Sequence, residues 1–187
     1  MSPRLKICGI NNAAFAAEAE RLGADYLGFI FAPGTPRNVT VDQATEIVRG
    51  LSGRARRVGV FVKQAPDEIL SIVRTVGLNV VQLHRRATSE DVAAVQREGL
   101  EVWTLAGGAP GDGVLFDSSH GDGETAFHRG PWTSILAGGI SAENLDEALR
   151  LSPDIVDVSG SLESARGVKS IPLLQSFMRV WKQSSVI

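Results

Sequence analysis

Five polar side chains stand at or just beyond the ends of short apolar runs. Cys8 closes LKIC (5–8), Arg37 lies in the loop after YLGFIF (26–31), and His84 follows NVVQL (79–83). Asp117 closes GVLFD (113–117) and Ser159 follows DIVDV (154–158). Small residues gather at two of the same places: Gly138 and Gly139 end SILAG (134–138) and step past it, and Gly160 and Ser161 continue from Ser159. A thiol and a carboxyl can serve as base and acid in a proton transfer. An arginine offers a planar fork to a carboxylate or phosphate. Small residues let an anion approach backbone N–H groups. Singly, each has a plainer reading. A lone cysteine is more often an apolar filler, Asp117 could cap a loop, a glycine pair is usually a turn, Arg37 could be a solvated charge, and His84 could pack on a neighbouring helix. Their joint occurrence at run ends gives the set its weight.

The elements that must hold them alternate. The eight apolar runs are LKIC, YLGFIF, RVGVFV (57–62), NVVQL, LEVWTL (100–105), GVLFD, SILAG and DIVDV. Consecutive apolar positions mark parallel strands buried on both faces. Amphipathic segments lie between them: 12–24, 40–51, 65–77, 88–99, 141–151 and 172–183. Thr40 or Asp42 opens the second, Pro66 with two acids the third, and a serine the fifth, all suitable helix starts. Strands alternating with helices imply a parallel sheet, and eight strands predict a (β/α)₈ barrel over 1–187. A doubly wound open sheet fits less well, since it usually has fewer strands and no G-x-G-x-x-G follows the first run. Only GGAPGD and its neighbours separate the fifth and sixth runs, too little for a crossover helix. The fifth helix is therefore expected to be replaced by a loop, and the segment 118–133, rich in Gly and polar residues, to hold at most a shortened sixth helix. Trp132 and Phe127, or a partner chain, would then cover the fifth and sixth strands.

The bulk properties set limits. The chain has 187 residues, 43% hydrophobic and 21% charged, with a net charge of −2. That suits one globular domain and gives no basic footprint for nucleic acid or an anionic membrane. MSPRLKICGI lacks a signal-peptide apolar core, and no window approaches a membrane span, so a cytoplasmic protein is expected. The single cysteine excludes an intramolecular disulfide. In a barrel the site lies at the C-terminal ends of the strands, where these five side chains fall. The phosphate grip is expected in the seventh and eighth loops. Lys6 shares a strand face with Cys8; if both point inward, Lys6 is buried and needs a partner. Asp157, on the adjoining eighth strand, is the best-placed acid.

KICGI, GFIFAPGTPRNV, RVGVFV, VVQLH, VLFD, ILAGGISAEN and VDVSGSLESARGVK resemble, in this order, the motifs of the phosphoribosylanthranilate isomerases of tryptophan biosynthesis. The similarity runs along essentially the whole chain. It implies an Amadori rearrangement of N-(5′-phosphoribosyl)anthranilate to 1-(o-carboxyphenylamino)-1-deoxyribulose 5-phosphate. Cys8 would be the general base, Asp117 the general acid, and Arg37 the contact for the anthranilate carboxylate. His84, Gly138, Gly139, Ser159, Gly160 and Ser161 would complete the substrate site. No metal or cofactor is implied, and the partner is a small phosphorylated molecule bound by a monomer or homodimer.

Three places depart from the family pattern. Arg85 and Arg86 follow V-Q-L-H where the family has glycine. Ser and Gly are exchanged at 160–161. The loop HGDGE (120–124) carries Asp122 and Glu124 where the family commonly has G-G-T-G-K. The two acids would repel a dianionic substrate unless Arg85, Arg86 and Arg129 pair with them, so weaker substrate binding is expected. An isomerase of a related N-ribosyl arylamine phosphate, or a non-catalytic phosphate-binding barrel, are the alternatives. A matched acid and base disfavour the second of these.

Overall fold

Eight parallel strands close on themselves in chain order. They are β1 (Arg4–Cys8), β2 (Tyr26–Phe31), β3 (Arg56–Phe61), β4 (Val80–Leu83), β5 (Glu101–Leu105), β6 (Gly113–Asp117), β7 (Thr133–Ala137) and β8 (Ile155–Val158). β8 pairs back onto β1. This is the arrangement of a computed structural model that describes residues 2–118 and 127–184. Around the barrel lie α1 (Ala13–Leu22), α2 (Val41–Arg49), α3 (Pro66–Val76), α4 (Ser89–Gln96), α5 (Leu145–Arg150) and α6 (Ile171–Ser184). The expected (β/α)₈ class is correct.

Two apolar layers follow from strand parity. Tyr26, Val58, Val80, Trp103, Leu115, Ile135 and Ile155 point inward and fill the barrel. Their outward neighbours, such as Leu5, Leu27, Phe29 and Val81, pack under the helices. Such a core is a filled stack of side chains, which leaves room for a ligand only above it. The N-terminal end is sealed by charges and rings. Arg4 donates to the Tyr26 hydroxyl, the Trp103 indole donates to Glu101 at 2.7 Å, and Arg56 pairs with Glu101 at 2.5 Å.

Helix starts obey local chemistry. Thr40 and Gln43 form a capping box, as do Thr88 and Asp91, and Asn12 caps α1 through its side chain. The segment expected to be helical from Ser141 differs. Asn144 accepts from the Ser141 N–H at 2.8 Å and donates to the Gly139 carbonyl at 3.0 Å, so the backbone turns there and α5 begins only at Leu145. A two-stranded hairpin, β9 (Glu163–Ala165) with β10 (Val168–Lys169), follows β8 and was not apparent from periodicity.

No helix links β5 to β6. The loop 106–112 instead lies flat on the sheet. A Cβ at Gly111 would sit 2.4 Å from the Val102 carbonyl oxygen, and one at Gly108 would sit 2.8 Å from the Ala87 nitrogen. Glycine is what allows this contact, and Val102 and Thr104 beneath the loop are fully buried. On β6, Phe116 is covered edge-on by Phe127 and His128 at 5.2 and 5.0 Å, and Trp132 stands against His128. Loop aromatics thus cover the face a helix would occupy. Of the segment 118–133, expected to hold at most a shortened sixth helix, residues 119–126, with the HGDGE loop, lie outside the described residues.

Candidate active site

The C-terminal mouth of the barrel holds a cavity of about 700 Å³. Cys8 and Asp117 both line it, from β1 and β6, with β8 and β7 between them around the sheet. Strand parity turns both side chains inward. Gly28, the β2 neighbour of Cys8 in register, makes the room. A Cβ there would lie 2.9 Å from the Cys8 Sγ and 3.2 Å from the Lys6 Cε.

Lys6 is fully buried below Cys8, and its Nζ pairs with Asp157 Oδ2 at 2.5 Å. The two are in direct register across β1 and β8. Burial alone would lower the Lys6 pKa, but Asp157 and Cys8 outweigh it and hold it above the ordinary lysine value. Cys8 shows the opposite balance. Burial pushes its thiol up, and Lys6 and Lys169 pull it down without cancelling that push, while the Asp157 charge adds to it. The electropositive surroundings expected of a ready thiolate are present in Lys6 and Lys169, yet burial outweighs them and favours the thiol form of Cys8.

Around the rim, His84 approaches Asp117 with Nε2 3.9 Å from Oδ2, and the Gln82 amide nitrogen lies 3.4 Å from its Nδ1. Arg37 is no loose surface charge. Its Nε and Nη2 hold Glu163 in a two-point fork at 2.7 and 2.9 Å. Glu163 also accepts from the Gly167 N–H at 3.0 Å and pairs with Lys169 at 3.1 Å. Burial opposes the charge on Glu163, but Arg37, Gly167 and Lys169 prevail and hold its pKa at about 2. The Arg37 fork uses Nε and Nη2, with Nη1 outside it.

Gly138, Gly139, Ser159 and Gly160 line the β7–β8 side of the cavity. Gly138 and Gly139 have φ of 96° and 64°, a region that L side chains avoid. Ser159 donates to the Cys8 carbonyl at 3.1 Å, tying the end of β8 to that of β1. Ser161 is the exception among the expected residues. It sits in the 3₁₀ turn Gly160–Leu162, which aims its hydroxyl at the Ile140 carbonyl at 2.7 Å, and it does not line the cavity. Two of the three arginines expected to offset Asp122 and Glu124 have partners among the described residues: Arg85 pairs with Asp91 at 2.8 Å and Arg129 with Asp154 at 2.9 Å. The two acids themselves fall outside the described residues.

The model of the family described as N-(5′-phosphoribosyl)anthranilate (PRA) isomerase matches residues 5–108 and 104–180. An N-(5′-phosphoribosyl)anthranilate isomerase of Rubrobacter xylanophilus is 36% identical over 203 residues, spanning 96% of this chain and 98% of that protein. The chain belongs to the N-(5′-phosphoribosyl)anthranilate isomerase family. It is an isomerase of tryptophan biosynthesis. Among solved isomerase structures, that of Thermus thermophilus superposes with a TM-score of 0.85 at 34% identity, covering 96% of this chain and 98% of the other. Another, in complex with reduced 1-(o-carboxyphenylamino)-1-deoxyribulose 5-phosphate, gives 0.81 at 27% identity over 97% and 99%.

Three side chains of the isomerase cavity were missed as site residues: Gln82, Asp157 and Arg166. Gln82 and Asp157 carried a signal, since each is polar, inward by parity and set in an apolar strand. Gln82 Oε1 and Asp157 Oδ1 are buried and have no hydrogen-bond partner among the described residues. Arg166 comes from the hairpin after β8 and had no periodic signal. No group of His, Cys, Asp and Glu that could hold a metal occurs among the described residues, and no described helix is long and apolar enough to cross a membrane.

Proposed function

We propose that this chain converts N-(5′-phosphoribosyl)anthranilate to 1-(o-carboxyphenylamino)-1-deoxyribulose 5-phosphate, with Asp117 as general acid and Cys8 as general base. The observation that carries this is the meeting of the Cys8 thiol and the Asp117 carboxyl in a single cavity that also has an arginine edge and a wall of exposed glycine backbone.

The chemistry divides between these groups. Protonated Asp117 gives its proton to the furanose ring oxygen. The C1′–O bond breaks as the anilino nitrogen lone pair forms a C1′=N Schiff base. The Cys8 thiolate then takes the proton from C2′, and the electron pair moves to form an enolamine. Tautomerisation puts a proton on C1′ and a carbonyl at C2′. Atoms and electrons balance within the substrate, so nothing is oxidised or reduced overall. Backbone N–H groups at Gly138, Gly139, Ser159 and Gly160 hold the phosphate. Arg37 meets the aryl carboxylate through Nη1, and His84 borders the ring beside Asp117. The buried acceptors Gln82 Oε1 and Asp157 Oδ1 need donors in a dry site, and the sugar hydroxyls supply them.

This mechanism needs one group protonated and the other deprotonated. Between their two pKa values the population of that pair does not change with pH, so kcat/KM is flat there and does not report Cys8 alone. Alkylation does, because the thiolate alone reacts and the chain has no other cysteine. The rate of Cys8 carboxymethylation by iodoacetate is expected to keep rising with pH past the ordinary thiol value of 9.0. A plateau reached near neutrality means that the thiolate is preformed.

The function is tested by complementation. The chain is expected to restore growth without tryptophan to a strain lacking this isomerase. Failure despite soluble expression of the protein counts against the proposal.

A further inference from the structure

The rim of the cavity carries one charge that none of these roles uses. Arg166 occupies the turn between β9 and β10 and lines the same cavity as Arg37. The mount of this residue is tightly held. Asn11 donates to the Gly167 carbonyl at 2.8 Å, and the Gly167 N–H donates to Glu163 at 3.0 Å. Gly167 rests so closely on the loop that carries Arg37 that a Cβ there would sit 2.5 Å from the Pro36 carbonyl oxygen.

The neighbouring cations are engaged. Arg37 grips Glu163, and Lys169 pairs with Glu163 and donates to the Ser159 carbonyl at 2.9 Å. Arg166 is exposed and has no hydrogen-bond or ion-pair partner among the described residues. Arg37, Glu163 and Lys169 together carry one net positive charge, and Arg166 adds a second at the mouth. Free guanidinium forks bind planar carboxylates through paired N–H bonds. The phosphate has its own place among the backbone N–H groups of the β7–β8 side, so the second anion of the proposed substrate is the one left for this side of the rim.

We propose that Arg166 is a specificity-determining residue that binds the aryl carboxylate of the substrate together with Arg37. The proposal rests on the substrate assignment made above. A carboxylate has lone pairs enough to take the Nη1 edge of Arg37 and the fork of Arg166 at once. The turn brings Arg166 from a different element than Arg37, so the carboxylate is clamped between the β2 loop and the β9–β10 hairpin. An amine without the carboxylate would leave both guanidinium groups without an anion.

The test compares wild type, Arg166→Gln and Arg166→Lys. Each is assayed for kcat and KM with N-(5′-phosphoribosyl)anthranilate. Each is also titrated by calorimetry with the product and with its counterpart lacking the carboxylate, 1-phenylamino-1-deoxyribulose 5-phosphate. Arg166→Gln is expected to raise KM and the product Kd roughly tenfold, the scale of a charge-assisted hydrogen bond at a partly open site, with kcat little changed. The lysine variant falls between, since it keeps the charge and loses the fork. Affinity for the descarboxy compound is expected to be the same in all three proteins. Unchanged product affinity in the glutamine variant overturns the role of Arg166, as does an equal loss for both compounds. A wild-type protein that neither turns over the substrate nor binds the product overturns the substrate assignment and this proposal with it. Turnover by wild type with no effect of Arg166 overturns this proposal alone.

Discussion

Cys8→Ser is expected to lower turnover by roughly 10²–10⁴-fold, the usual worth of a positioned acid or base, and to leave the fold nearly as stable. The serine hydroxyl fits where the thiol stood but is far less acidic, so it cannot form the base that takes the C2′ proton. Cys8 is 7% exposed and lies at the cavity edge of its strand, so the substitution opens no large void in the core. Asp117→Asn is expected to act in the same range, because the amide keeps the shape and has no acidic proton to give. The double variant should be little worse than either single one, since acid and base act on one reaction sequence and their losses do not add. Near-normal turnover of Cys8→Ser at unchanged melting temperature would return Cys8 to the role of an apolar filler.

The largest stability effect is expected at Lys6. Lys6→Met leaves the Asp157 carboxylate in a nearly dry site with its ion partner gone, which costs about 3–5 kcal/mol. For a chain of this size that is a fall in melting temperature on the order of 10 °C. Activity should fall too, because Lys6 is the strongest influence pulling the Cys8 thiol down. Lys6 has a raised pKa in the folded protein, so its own contribution is present below the ordinary lysine value and lost as the pH rises through the raised one. Burial raises the Asp157 pKa as well, against the pull of Lys6, so the ion pair is also lost as the pH falls through that raised carboxyl value. Thermal scans check the size, and the Lys6→Met/Asp157→Leu double variant checks the cause. If an unpaired charge is responsible, removing Asp157 as well recovers much of the loss. A double variant as unstable as the single one would assign the effect to packing.

How much of this was legible in the sequence depends on the interaction that decides each element. Strands buried on both faces write themselves as apolar runs, so all eight were found, with ends displaced by a residue or so. Helices α1–α4 carry caps and periodic stripes within their own segments and were read closely. The start of α5 was read too early because Ser141 is a good cap locally, and it is Asn144, turned back to Ser141 and Gly139, that diverts the backbone. The hairpin after β8 has no period of its own. It is held where Arg37, Gly167 and Lys169 gather around Glu163, and the Arg37–Glu163 contact joins residues 126 apart in the chain. The same long reach hid Arg166. The Lys6–Asp157 pair was legible because parity and barrel closure suffice to predict it. The direction of the Ser161 hydroxyl was not legible, because a single 3₁₀ turn decides whether a side chain faces the cavity or the loop behind it.

The central claim is that Cys8 and Asp117 carry out a proton-transfer isomerisation of N-(5′-phosphoribosyl)anthranilate in the cavity above the barrel core. The most direct measurement is product formation by the purified protein from freshly made N-(5′-phosphoribosyl)anthranilate, followed by chromatography beside the Cys8→Ser and Asp117→Asn proteins at equal concentration. The account predicts multiple turnovers by wild type, with both variants slower by roughly 10²-fold or more. Wild-type formation of 1-(o-carboxyphenylamino)-1-deoxyribulose 5-phosphate no faster than in the two variants would contradict it.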